Sequence, residues 1–245
     1  MKIKKIKKRL DVVLFEKKFV NTRAKAQAFI ISKNVIVNNQ VQFKPGFLVT
    51  ENDLVEIKKN NPYVSRSGLK LKFALDTFEI DLRGVVCLDI GASTGGFTDC
   101  MLQKGAFKIY AVDVGSKQLH YKLRQDERVV NIEKMNFRYF DKFLLKDSVN
   151  FATIDVSFIS LDKILPVVHE NILKNGLVLA MVKPQFELEP YEVGKGVVKC
   201  ERLRQKAIDK IKRVAKNLGF KIISEVASNL KGHKGNLEHF ILLKK

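Results

Sequence analysis

Cysteine is scarce and unpatterned, because Cys87, Cys100 and Cys200 stand in no CxxC or Cys/His spacing. That excludes a disulfide framework and a zinc site. No window approaches the roughly 18 consecutive apolar residues of a membrane span. With only 5 Pro and 14 Gly in 245 residues, collagen-like and low-complexity architectures are excluded as well. Six of the first nine residues are Lys or Arg, but Asp11, Glu16, Lys17 and Lys18 interrupt the apolar segment that a secretion signal would need next. A cytoplasmic chain with reduced thiols is expected. Acidic residues are also short, since 26 Asp and Glu face 45 Lys and Arg for a net charge of +19. A charge of that size repels itself unless a polyanion shares the surface, so nucleic acid or an anionic membrane is the implied partner. Hydrophobic residues make up 46% of the chain, enough for one full core plus an appendage.

The excess is uneven, because residues 1–60 hold 14 basic and 5 acidic side chains, net +9. Leu10, Val13 and Leu14, then Ala24, Ala28 and Phe29, read as two short helices. Val35, Ile36, Val37, Asn38, Asn39 and Val41 read as a hairpin, and residues 49–57 as a further strand. The polar stretch 58–62 (KKNNP) ends in Pro and marks a boundary, giving domains at 1–60 and 65–245 with a linker at 61–64. Arg9-Leu10-Asp11, Thr22-Arg23-Ala24-Lys25-Ala26, VIVNNQ at 35–40 and KPGFLV at 44–49 resemble an S4 RNA-binding domain. On that resemblance Lys7, Lys8, Arg9, Arg23 and Lys25 lie on two helices packed side by side and form one phosphate-binding face, with Arg66 added from the following segment.

Apolar residues return at helical spacing over 69–78, and strand and helix then alternate. Strands are expected at 85–90, 108–114, 129–132, 149–156, 177–183, 221–227 and 239–243, and helices at 96–104, 117–123, 161–173 and 202–218. This is an α/β pattern with a mostly parallel, doubly wound sheet of seven strands. Between the last two strands lies only a loop holding Gly232 and Gly235, so they should pair antiparallel. One late reversed strand is the mark of the Rossmann-like fold of class I methyltransferases. The small N-terminal domain is α+β.

Asp89-Ile90-Gly91-Ala92-Ser93-Thr94-Gly95-Gly96-Phe97 follows the first strand of the sheet and opens a helix. Open α/β sheets bind nucleotide cofactors at this place, and small residues there let the backbone approach a ligand closely. Three residues separate Gly91 from Gly95, which departs from the dinucleotide GxGxxG. Asp113, closing the second strand, is placed to accept from ribose hydroxyls, and Asn136, beyond the third, is a candidate for the adenine. S-adenosylmethionine and NAD sites share these features, so the substrate side must discriminate between them.

After the fourth strand stands Asp155-Val156-Ser157-Phe158 rather than the [D/N]-P-P-[Y/F] of exocyclic amine methylation. Cys87 and Cys100 sit within a strand and a helix, poorly placed for a thiolate attack on a base carbon. Instead Lys70, Asp155, Lys183 and Glu238 gather, all but Lys70 at strand termini. Ribose 2′-hydroxyl methylation suits such a set, because an alcohol needs a base or cation to polarise it, and two acids can orient two amines. Lys72 is a possible confusion for Lys70. Residues 187–199, with Pro190, Gly194 and Gly196, read as a mobile loop over the cleft, with a structural tether as the alternative.

The set resembles the Lys-Asp-Lys-Glu tetrad of FtsJ-like ribose methyltransferases. The phrases YVSRSGLKL at 63–71, DIGASTGGFTD at 89–99, IDVSFISL at 154–161 and VKPQFE at 182–187 resemble the TlyA family in particular. That resemblance implies S-adenosylmethionine as cofactor, no metal, and catalytic Lys70, Asp155, Lys183 and Glu238. It further implies ribosomal RNA as substrate, with cytidine 2′-hydroxyls methylated on the large subunit and, in longer members, also on the small one. The short chain points to the large subunit, and a monomer is expected. Two alternatives are a non-catalytic ribosome assembly factor and the haemolysin activity attached to this family by name. Against the second stand the lack of an apolar span and of a lipid-binding amphipathic helix.

Overall fold

The computed structural model describes residues 7–58 and 61–245. The chain divides into two compact units, Met1–Pro62 and Tyr63–Lys245. Lys59 and Asn60, within the polar stretch 58–62 that marks the boundary, lie outside the described residues.

In the first unit β1 (Lys8–Arg9) runs directly into α1 (Leu10–Glu16), and α2 (Arg23–Ile31) follows. The Thr22 hydroxyl accepts from the Lys25 N–H at 3.2 Å and starts α2. Strands β2 (Val35–Val37), β3 (Gln40–Gln42), β4 (Leu48–Val49) and β5 (Val55–Ile57) complete the unit, with Leu10, Leu14, Ala26 and Ile30 buried against Val35, Val37, Val49 and Val55. The single strand expected over 49–57 is in fact two strands in two sheets: β4 pairs with β1, and β5 with β2. Asp53 causes the break, because its carboxylate accepts from the Thr50 N–H at 2.6 Å and from the Asn38 amide at 2.6 Å, which closes a turn. The basic residues are also placed differently from the expectation. Lys7 precedes β1, and Lys8 and Arg9 are in it, held extended by pairing with Val49 and Leu48, so only Arg23 and Lys25 are helical. Arg9 and Arg23 each reach the buried Asp11 carboxylate at 3.0 Å, and Gln27 adds a third bond. Those bonds, from Arg9 above all, hold the Asp11 carboxyl well below the usual carboxylate range.

The second unit opens with α3 (Ser67–Thr77). Then come β6 (Val86–Ile90), α4 (Gly96–Gln103), β7 (Lys108–Val112), α5 (Tyr121–Arg124), β8 (Val129–Ile132), β9 (Val149–Ile154), α6 (Leu165–Asn171), β10 (Ile172–Val182), α7 (Pro184–Glu187), α8 (Pro190–Val193), α9 (Glu201–Asn217), β11 (Lys221–Ala227) and β12 (His239–Lys244). The seven strands β6 to β12 form one sheet in the order β11-β12-β10-β9-β6-β7-β8. All its internal pairs are parallel except those of β12, which runs antiparallel to both β10 and β11, as the helix-free loop before it required. Alternate side chains feed two apolar layers, one with α6 and α9 and the other with α3, α4 and α5. The helix expected at 161–173 is a 3₁₀ turn followed by α6, which gives way at Ile172 to an early irregular start of β10. The helix expected at 117–123 shrinks to α5, capped by the His120 ring, which accepts from the Lys122 N–H at 3.2 Å.

Tyr63 and Val64 are held inside the second unit: Tyr63 is buried, and the Val64 N–H donates to Asp99 at 2.9 Å. Among the described residues no helix is long and apolar enough to cross a membrane.

Candidate active site

Parallel strands direct their carboxyl ends to one edge, and the loops there enclose two cavities. The first, of about 470 Å³, is lined by Gly91, Ser93, Asp113, Asn136 and Asp155 together with apolar Val112, Met135 and Phe137. Gly91 closes β6 with φ +83°, and a Cβ there would lie 2.7 Å from the Asp155 carbonyl oxygen. Only glycine permits that crossing. The Asp113 carboxylate accepts from the Ser93 N–H at 2.8 Å and from the Gly115 N–H at 2.7 Å, joining two loops at the cavity wall.

Several residues expected to touch a cofactor stand behind this wall. Asp89 is fully buried, and its oxygens are taken by the Thr98 hydroxyl at 2.6 Å and the Thr153 hydroxyl at 2.9 Å. It braces the strand end rather than facing the cavity. Ala92, Gly95, Gly96 and Phe97 are likewise buried, whereas Thr94 is exposed on the loop. Gly95, at φ +91°, packs against Leu119 and Leu123, and Phe97 is buried beside Phe240.

Burial raises the Asp89 carboxyl from 3.8 to about 6. Between those values the unfolded chain has released a proton that the folded chain retains, so this group's contribution to stability falls as pH rises from about 4 to about 6. The urea midpoint of the Asp89→Asn variant should therefore fall less, or rise more, between about pH 4 and about pH 6 than that of the parent protein. Parallel curves for the two would show that Asp89 ionises in the fold as it does in water. Cys87 and Cys100 are buried, and burial pushes each thiol up to about 12, so neither supplies a thiolate at neutral pH.

The second cavity, of about 590 Å³, is lined by Lys70, Asp155, Lys183 and Glu238 and shares Asp155, Ser157 and Phe158 with the first. Four sequence-distant residues thus meet at one wall. Each lysine has its own acid: Lys183 Nζ lies 2.7 Å from Asp155 Oδ1, and Lys70 Nζ 2.5 Å from Glu238 Oε2. Lys183 Nζ also bonds the Ser157 hydroxyl at 3.0 Å. Asp155 and Lys183 follow directly on β9 and β10, and the reversal of β12 brings Glu238 to the same edge. Lys70 arrives on α3, whose first turn lies so close to α4 that a Cβ at Gly96 would meet Ser67 Oγ at 2.0 Å. Lys72, two positions on, turns outward to Asp76. Arg66 is exposed immediately before α3.

Sequence reasoning missed Ser157, Phe158, Gln185, Lys234 and Asn236 in this wall. Phe158 is 91% exposed and sits at φ +62°, a strained conformation for a bulky residue that no sequence pattern reveals.

A seven-stranded sheet with one reversed strand, carrying paired cavities at its carboxyl edge, defines the class as a Rossmann-like methyltransferase, and residues 63–245 match the model of the FtsJ-like methyltransferases. Residues 8–55 match the S4 domain. The chain is 40% identical over 239 residues to Hemolysin A of Brachyspira hyodysenteriae, covering 96% of this chain and 100% of that protein. It is 35% identical over 239 residues to the 16S/23S rRNA (cytidine-2′-O)-methyltransferase TlyA of Mycobacterium tuberculosis, covering 96% and 89% respectively. A solved structure described as a hemolysin from Streptococcus thermophilus superposes with a TM-score of 0.76 at 40% identity, over 98% of this chain and 88% of that one. The chain belongs to the TlyA family of S4 and FtsJ-like proteins.

Proposed function

We propose that this protein transfers a methyl group from S-adenosylmethionine to the 2′-hydroxyl of a cytidine in ribosomal RNA. The observation that carries this reading is the shared wall: Asp155, Ser157 and Phe158 border both cavities, so a donor in the first faces an acceptor in the second. The first cavity fits the cofactor, since Gly91 leaves backbone exposed where a side chain would intrude, and Asp113 and Asn136 offer polar groups to ribose and base. When bound, the cofactor supplies an electrophilic methyl group on a sulfonium, which needs only an aligned nucleophile.

The protein's own task is then to hold the alcohol and move its proton. Lys183, its resting ammonium having first lost a proton to solvent, takes the hydroxyl proton at Nζ as the oxygen gains the methyl group, while Asp155 and Ser157 fix the nitrogen at the boundary between the cavities. Lys70 and Glu238, paired with each other and lining the same cavity, position the ribose. Phe158 presents a free ring face on which a splayed-out base can stack. The S4 unit contributes phosphate contacts through Lys7 and Lys25, which are exposed and not tied to Asp11, and through Lys8, which is exposed but paired with Glu16 at 2.7 Å. Ribosomal RNA and cytidine are the terms in which the M. tuberculosis relative is named, and they support a ribosomal substrate and a cytoplasmic protein.

The test is direct. Ribosomal RNA from cells lacking the protein, incubated with purified protein and labelled S-adenosylmethionine, should gain 2′-O-methylcytidine detectable by nuclease digestion and mass mapping. No label in RNA from either subunit would overturn the reading.

A further inference from the structure

The segment between α7 and α9 passes over the second cavity, and one side chain fastens it. Val193 and Gly196 of this strap line the cavity. Gly194, at φ 59° and ψ −123°, and Gly196, at φ +86°, take conformations that residues with a side chain rarely adopt. Asn236 lies across them: its Nδ2 donates to the Gly196 carbonyl at 2.9 Å, and its Oδ1 accepts from the Val198 N–H at 2.9 Å. The amide thereby serves the strap as the edge of a neighbouring strand would. Asn236 is 2% exposed, and its backbone carbonyl accepts from the Gly232 N–H at 2.8 Å, which fixes it in turn.

A buried amide is costly unless both ends are satisfied. Among the described residues both ends of this one are satisfied by strap backbone, which a general packing residue would not require. The strap's flanks have separate ties, Glu192 to Lys206 at 2.6 Å and the Arg204 guanidinium to the Lys199 carbonyl at 2.7 Å. Within 194–198 Arg204 adds only a longer bond, to the Val198 carbonyl at 3.4 Å, so the stretch that brings Gly196 to the cavity rests chiefly on Asn236.

We propose that Asn236 is a positioning residue that pins residues 194–198 as the roof of the pocket for the target nucleotide, and so sets how the RNA is held without touching the reacting atoms. This rests on the methyl-transfer reading above. Asn236→Ala removes both bonds, whereas Asn236→Asp keeps the shape and the acceptor but sets two oxygens against each other at Gly196. Both variants should exchange the Val198 amide hydrogen faster than the parent and raise the KM for RNA by about tenfold, the loss expected for one or two hydrogen bonds. Their kcat should stay within about threefold, and S-adenosylmethionine affinity should not change. Unchanged exchange at Val198 would overturn the proposal, and so would faster exchange with an unaltered KM or a lowered melting temperature as the sole effect. If the parent protein methylates no RNA, the methyl-transfer reading has failed. RNA affinity at equilibrium then replaces KM, and the same outcomes decide.

Discussion

Replacing Lys183 with alanine should abolish methyl transfer to RNA, a loss of about 10²- to 10⁴-fold for a removed general base, with the affinity for S-adenosylmethionine nearly unchanged. The asymmetry follows from position. Lys183 lines the second cavity and not the first, and its amine is engaged by Asp155 at 2.7 Å and Ser157 at 3.0 Å on the shared wall. The substitution also leaves the Asp155 carboxylate without its cation, so some stability is lost and the melting temperature must be followed alongside. Lys183→Arg controls for this, since it keeps a positive charge near Asp155 but cannot release a proton at neutral pH. It should fold as the parent does and remain inactive. Single-turnover methylation and calorimetric cofactor titration on both variants make the measurement. Full activity in Lys183→Ala would remove the tetrad from the mechanism.

Deleting residues 1–62 should weaken RNA binding and flatten its salt dependence while leaving cofactor binding intact. Every phosphate that the protein no longer neutralises lowers the magnitude of the slope of log affinity against log salt by roughly 0.7 to 0.9. Lys7 and Lys25 should therefore account for a change of about 1.4 to 1.8 in slope, and Lys8, paired with Glu16, for less than a free cation would. Arg9 and Arg23 share the buried Asp11, so their charge is partly compensated, and they should add less than free cations would. The division after Pro62 keeps Tyr63, whose ring packs against Gly68, and with it the start of α3 that carries Lys70. RNA affinity at several salt concentrations, for the full chain and for residues 63–245, decides the matter. Identical slopes would show that the second unit alone grips the RNA.

The second unit was legible because its signals are redundant. Short apolar runs between helical stripes permit little but a parallel sheet, and the loop at 228–238 is too short and polar for a crossover helix. The tetrad was legible for the same reason, since strand ends are where such a sheet exposes chemistry. What stayed hidden depended on three-dimensional hydrogen bonding. Asp89 looks like a cofactor ligand in one dimension, and only the arrival of Thr98 and Thr153 from two other elements shows that both its oxygens are taken. No sequence pattern singles out Asn236, whose role depends on the strap it holds. In the first unit, Asp53 converts an apparent nine-residue strand into two by capping a turn, a local competition that alternation of side chains does not register.

The reversed strand β12 has a consequence for the order in which the protein becomes competent. It is inserted between β10 and β11, and the Lys70–Glu238 pair it completes joins residues 168 positions apart. During synthesis the S4 unit emerges and folds first, while α3 presents Lys70 without its acid until β12 has threaded into place. Such a distant closure is slow compared with local helix formation. A nascent chain can thus hold RNA before it can act on it, and the catalytic wall is sealed only by the last of the described strands.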